Sequence, residues 1–100
     1  MEINKQKKDG ELTVTISGRL DTMTAPLLEA ELKDSLDDVE KLVFEIQGLE
    51  YISSAGLRVL LSAQKIMNQK GSMVVRHVQE PIMEIFEVTG FSDILTVEHD

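Results

Sequence analysis

The chain has 100 residues, of which 42% are hydrophobic, and a formal net charge of −8 from 18 acidic and 10 basic residues. This length fits one compact domain, residues 1–100, with a small hydrophobic core. A nucleic-acid binder needs a basic footprint and stacking side chains. The acidic balance, the absence of Trp and the single Tyr therefore favour a protein partner over nucleic acid.

No apolar run approaches the ~20 residues that cross a bilayer. Residues 1–8 also lack the apolar stretch of a signal peptide. We therefore expect a cytoplasmic protein with no membrane partner. The absence of Cys excludes disulfides and thiolate metal sites.

The first part of the chain predicts a β-hairpin. Apolar residues alternate with hydroxyl-bearing residues over 12–17, which is the pattern of a half-buried strand. The Asp9-Gly10 pair before it is a hairpin turn signal, so residues 2–8 should form the partner strand. We expect the second strand to end at Gly18, with a loop after it.

Helices and strands then alternate to the end of the chain. Leucines spaced four apart predict an amphipathic helix that starts near Thr24 or Ala25 and closes at Asp37-Asp38. A short apolar run over 42–46 predicts a central strand buried on both faces. The remaining predicted elements are a helix over about 54–69, a strand over 73–76, a helix from Pro81 to Gly90 and a strand over 94–97.

The predicted order is ββαβαβαβ. Strands separated by helices pair in parallel through right-handed crossovers, whereas the initial hairpin is antiparallel. The fold class is therefore α/β, a single domain with a mixed, mostly parallel sheet packed with helices.

Candidate metal and cofactor residues are few. His77 has no acidic residue at a metal-binding spacing, and His99 lies beside the C-terminus, where chains fray. We interpret both as solvated or capping residues. The acidic run over 34–40 lacks the pattern of a calcium loop, and neither glycine-rich phosphate motif is present. We therefore expect no metal and no cofactor.

The segment 51–58 joins a strand signal to a helix signal, and in it Ser53 and Ser54 precede Ala55 and Gly56. A helix N-terminus has unpaired N–H groups and a partial positive charge, so it suits a capping serine and also a phosphorylated serine. Glycine in a helical turn costs about 1 kcal/mol relative to alanine. The two small residues therefore favour close approach by another protein. The residues alone leave capping and phosphorylation both open.

Catalysis by a serine nucleophile is a further alternative. The esterase elbow requires glycine two residues before and two residues after the serine. Around Ser54 these positions are Ile52 and Gly56, and no base is evident. We therefore do not expect an enzyme.

Two segments resemble STAS domains of the anti-sigma-factor antagonist type. Residues 17–26 (SGRLDTMTAP) are similar to the family's Gly-x-Leu/Ile-Asp-x-x-Thr-Ala pattern. Residues 51–57 (YISSAGL) are similar to its Asp-Ser-Ser/Thr-Gly-Leu region. Residues 89–91 also fit, and the resemblance spans essentially the whole chain.

The resemblance implies a phosphorylation switch. In this family the unphosphorylated domain binds an anti-sigma factor that is itself a serine kinase, and this binding releases a sigma factor. The kinase phosphorylates the antagonist with ATP and frees itself, and a metal-dependent serine phosphatase resets the cycle. A non-phosphorylated STAS docking subunit of a signalling or transport assembly is the alternative.

The acceptor position of the family falls on Ser54. Ser53 stands where an acidic residue often precedes the acceptor, so it is a helix cap, a secondary acceptor or neither. Asp21 should lie beside the acceptor, and its alternative role is a turn residue that bonds its own backbone. The partner-binding residues implied by the resemblance are Asp21, Thr22, Ser53, Ala55, Gly56 and Arg58.

Overall fold

A computed structural model describes residues 1–98, so His99 lies outside the described residues. The predicted order of elements is confirmed. The strands are β1 (Glu2–Lys8), β2 (Glu11–Leu20), β3 (Lys41–Ile52), β4 (Ser72–Arg76) and β5 (Val97–Glu98). The helices are α1 (Ala25–Lys33), α2 (Ser54–Lys70) and α3 (Glu80–Thr89), and a 3₁₀ turn covers Phe91–Asp93.

The strands lie in the sheet in chain order, β1-β2-β3-β4-β5. β1 and β2 pair antiparallel, with Lys8 opposite Glu11 next to the hairpin turn, and the later pairs are parallel. Right-handed crossovers that advance in one direction along a sheet place successive helices on the same face. The predicted mixed, mostly parallel sheet is confirmed.

One hydrophobic core lies between this face and the helices. Val14 of β2 and Phe44 of β3 point into it, and Leu28, Leu60 and Phe86 enter it from the three helices. All five side chains are fully buried. Burying a side chain of this size stabilises the fold by about 1.5–3 kcal/mol. This packing fixes where strand ends and helix starts meet.

The opposite face of the sheet is largely polar, and on this face the prediction that β3 is buried over residues 42–46 is correct for Val43 but not for Glu45. Val43 is buried there, between Thr13 and Val74 of the adjoining strands. Further along the same face, Glu45 is partly exposed and pairs with His77. The apolar residues over 42–46 thus comprise residues on the inner face and one buried residue on the outer face.

β2 and β3 both run further than predicted. Gly18 does not end β2, because it adopts a φ of 91° and remains paired with Leu49. Two register shifts each set an extra β3 residue against β2. A glycine with positive φ allows the strand to follow such bulges, so pairing continues to Leu20 and Ile52.

Helix α1 ends at Lys33, earlier than predicted. The Ser35 N–H donates to the Leu32 carbonyl at 3.0 Å, so the chain tightens into a turn instead of continuing the helix. The Lys70 ammonium group donates to the Leu36 carbonyl and satisfies it from the end of α2. Leu36 is still buried, so the leucine spacing predicted burial correctly but not the helix end.

The last strand also starts later than the predicted residue 94. The Ile94 N–H donates to the Phe91 carbonyl at 3.0 Å and the Leu95 N–H donates to the same carbonyl at 2.8 Å. These bonds extend the turn after α3 and keep Ile94 out of the sheet. Leu95 enters the core instead.

Helix α2 starts in direct contact with the ends of β2 and β3. A Cβ atom on Gly56 would lie 2.8 Å from side-chain carbons of both Leu20 and Ile52, and 3.0 Å from the Leu20 carbonyl oxygen. Carbon atoms in good contact are about 3.5–4.0 Å apart. Glycine is therefore required at this position by packing within the domain.

We predict that Gly56→Ala destabilises the protein by about 1 kcal/mol or more. The added methyl group must push α2 away from the strand ends, and overpacking of about 1–3 kcal/mol outweighs the gain in helix propensity. Ser54→Ala, on the exposed side of the same turn, is the control and should stay within about 0.5 kcal/mol of wild type. Urea unfolding followed by circular dichroism measures both, and a Gly56→Ala variant as stable as wild type would contradict the packing argument.

Candidate functional site

The two sequence motifs meet at one edge of the sheet. Leu20 and Ile52 are paired neighbours at the ends of β2 and β3, so Asp21 and Ser53 follow from adjacent strands. The Ser53 N–H donates to the Leu20 carbonyl at 2.9 Å and ties the two segments together. The site therefore lies at the carboxyl ends of parallel strands, the usual position of sites in open α/β sheets.

Ser53 is the N-cap of helix α2. Its backbone is extended, with φ −94° and ψ 175°, and its Oγ accepts a hydrogen bond from the Gly56 N–H at 3.3 Å. Its carbonyl accepts the first helical bond, from the Leu57 N–H at 2.9 Å. The Ser53 hydroxyl is therefore engaged in capping the N-terminus of α2.

Ser54 has a different environment. It is the first residue of α2 and is exposed, whereas Ser53 is partly buried. Within residues 1–98, the Ser54 hydroxyl forms no hydrogen bond. Its oxygen is therefore open to a reagent or a partner.

Asp21 builds the turn that leads from β2 into α1. Its Oδ1 accepts hydrogen bonds from the backbone N–H groups of Met23 at 3.0 Å and Thr24 at 3.1 Å. The hydrogen bond from the Thr24 backbone is the main cause of a lowered pKa for the Asp21 carboxyl group. Asp21 thus bonds its own backbone, as the alternative interpretation of this residue expected, and it does so next to Ser53.

Three of the predicted partner-binding residues line one groove. Thr22 from the loop after β2 and Ala55 and Arg58 from α2 form its wall, together with Pro26 and Glu29 of α1. Gly56 is buried beneath this surface, and its missing side chain is explained by packing against Leu20 and Ile52 rather than by a partner. Gly56 therefore contributes to the predicted surface indirectly, because it allows α2 to begin close to the ends of β2 and β3.

Four further residues beside the site were not predicted. The Arg19 guanidinium lies over the Tyr51 ring, 4.4 Å from its centroid, and its Nε is 3.9 Å from Asp21 Oδ2. Met23 and Leu27 are 82% and 59% exposed. The sequence signals for these two exposed apolar side chains were a methionine in a polar loop and a leucine outside the four-residue spacing of the others.

Residues 1–98 contain no group of three or more His, Asp or Glu side chains placed to hold a metal ion. His77 is bonded through Nδ1 to Glu45 and extends from the end of β4. In the same part of the chain, no helix has the length and apolar character needed to cross a membrane.

Comparison with known proteins places this chain in a family. A model of the STAS domain matches residues 2–100. The putative anti-sigma factor antagonist BtrV of Bordetella bronchiseptica is 37% identical over 99 residues, covering 97% of this chain and 85% of the relative. The anti-sigma F factor antagonist of Paenibacillus polymyxa is 28% identical over 100 residues, covering 97% of this chain and 86% of the relative.

Solved structures have the same fold. An anti-sigma factor antagonist from Mycobacterium paratuberculosis superposes with a TM-score of 0.88 at 22% identity, covering 99% of this chain and 86% of the other. SpoIIAA in its unphosphorylated form gives a TM-score of 0.84 at 12% identity, covering 99% and 90%. The phosphorylated form of SpoIIAA from Bacillus gives 0.76 at 12% identity, covering 99% and 93%. With the family model matching nearly its full length, the chain belongs to the STAS domain family.

Proposed function

We propose that this protein is an anti-sigma-factor antagonist controlled by phosphorylation of Ser54. Unphosphorylated, it binds an anti-sigma factor that is a serine kinase, and a sigma factor is released. The kinase transfers the γ-phosphoryl group of ATP to the Ser54 Oγ, which gives up its proton, and ADP leaves. A metal-dependent serine phosphatase then restores the free hydroxyl.

One observation carries this proposal: the two adjacent serines differ in what their hydroxyls do. Ser53 caps α2, so its modification would break the hydrogen bond to Gly56. Ser54 is exposed and can accept a phosphoryl group without disturbing that cap. The relatives support the role, because both are named as anti-sigma factor antagonists.

The start of α2 is also electrostatically suited to a phosphate. Phosphorylation adds about −1.5 to −2 charges. The positive end of the helix dipole favours an anion at Ser54, so the fold should tolerate the phosphate. A partner surface packed on Ala55 would instead face steric intrusion and desolvation of a dianion. A loss of about 3–4 kcal/mol in binding weakens a complex more than a hundredfold.

The proposed partner surface follows from the groove beside Ser54. Thr22, Ala55 and Arg58 face the same space, and Asp21 holds the loop that presents Thr22. Small and polar residues there allow another protein's active site to reach the Ser54 hydroxyl. The protein thus acts as a substrate and a ligand in this proposal, and we assign no catalysis to Ser54.

We predict that changing Ser54 separates binding from release. Ser54→Ala should bind the kinase anti-sigma factor of the source organism as tightly as wild type, and added ATP should not dissociate the complex. Ser54→Asp carries part of the phosphate's charge, so we expect binding at least about tenfold weaker. Isothermal titration calorimetry with and without ATP measures both variants.

Ser72→Asp is the matched control for charge. Ser72 is exposed at the start of β4, at the opposite end of the sheet from Ser54, and the substitution adds the same charge. Its affinity should match wild type. Equal affinities of Ser54→Asp and wild type would contradict the proposed steric and electrostatic block.

We predict a different outcome for Ser53→Ala. Loss of the cap should reduce stability by about 1 kcal/mol. The variant should still be phosphorylated by a lysate of the source cells supplied with labelled ATP, whereas Ser54→Ala should not. Peptide mass spectrometry locates the label. Label lost only in Ser53→Ala would move the acceptor to Ser53, and no label in any variant, with active serine kinase present, would favour the docking subunit.

A further inference from the structure

Arg58 is placed one helical turn after Ser54. Residues i and i+4 of an α-helix lie on the same side, with Cβ atoms about 5–6 Å apart. Helical side chains also lean toward the helix N-terminus, so the long Arg58 side chain can reach back over Ser54. Both residues are exposed, and no other element separates them.

The position of Arg58 is not explained by the unphosphorylated fold. Among residues 1–98, its guanidinium forms no ion pair with a carboxylate. The first turn of α2 contains no acidic residue. A cation near a helix N-terminus opposes the helix dipole. Within the described residues, Arg58 thus has no carboxylate to pair with, and it lies near the N-terminus of α2, where the helix dipole favours an anion.

We infer that Arg58 binds the phosphate on Ser54 and is the residue that holds the phosphorylated side chain against α2. This inference rests on the proposed phosphorylation of Ser54. Arginine presents a planar set of N–H donors that fits two phosphate oxygens at once. A phosphate at residue i and an arginine at i+4 is the order that also agrees with the helix dipole.

The contact between Arg58 and the phosphate would also change the groove that faces the partner. Arg58 lines the groove with Thr22 and Ala55. When the guanidinium turns toward the phosphate, it leaves that groove. Phosphorylation therefore acts at two points of the partner surface, by placing a dianion at Ser54 and by withdrawing a cation from the groove.

Other charged groups around the site are less suited to hold the phosphate. Arg19 already stacks on Tyr51 and lies near Asp21. Asp21 in the loop and Glu29 across the groove are carboxylates, which repel a phosphate. In the described part of the chain, Arg58 is the cation of α2 that lies near Ser54 and has a guanidinium outside any ion pair.

The test measures the second pKa of the phosphate, which is about 6 in the absence of other interactions. Phosphoserine is incorporated genetically at residue 54, so no kinase is needed, and the phosphate is titrated by ³¹P NMR. A neighbouring cation stabilises the dianion and lowers this pKa. We expect Arg58→Gln to raise it by about 0.3 or more, and Arg58→Lys to retain most of the lowering.

Lys65→Gln is the matched control because it removes one positive charge from the same helix. Residue 65 lies about 16 Å further along the axis than residue 54, beyond the screening length of about 10 Å. It should leave the phosphate pKa unchanged. An unchanged pKa in Arg58→Gln overturns the inference, as does a rise caused by Arg19→Gln instead. Either result leaves the proposed function intact, because that proposal is tested separately, by phosphorylation of Ser54 in a lysate and by the affinities of the Ser54 variants.

Discussion

The close approach of α2 to the ends of β2 and β3 is the constraint on which the rest of the site depends. With no side chain on Gly56, the helix begins directly against Leu20 and Ile52. The backbone bond from Ser53 to Leu20 then becomes possible, and the loop at Asp21 is brought beside the helix start. The geometry of the site is therefore set by core packing, not by contacts among the exposed residues.

In the proposed function, this arrangement divides helix capping and phosphate acceptance between two adjacent serines. A cap must face inward toward the N–H groups of the first turn, as Ser53 does toward Gly56. The next residue along the helix then points away from that bond, and Ser54 is exposed. A single serine could not both satisfy the helix end and accept a phosphate without changing the stability of the helix with each modification.

Much of the fold was predictable because its signals are local. Alternation over 12–17 and the leucine spacing of α1 identified elements and their buried sides correctly. The ends of elements depended on contacts distant in sequence: Lys70 satisfies the Leu36 carbonyl after α1, and bulges with Gly18 prolong β2. The motifs predicted the candidate site residues and that they lie together, but the packing reason for Gly56 and the contact of Arg19 with Tyr51 required the relative placement of β2, β3 and α2.

The switch proposed for Ser54 needs no change of fold. In this proposal, a phosphate is acceptable to the domain itself because of the helix dipole, the exposed position of Ser54, and Arg58, which forms no ion pair within residues 1–98. The same charge is costly to a partner that must exclude water from the groove beside it. If the domain tolerates the phosphate while the partner is repelled by it, as we propose, a single covalent change alters binding strongly and leaves the stability of the domain nearly constant.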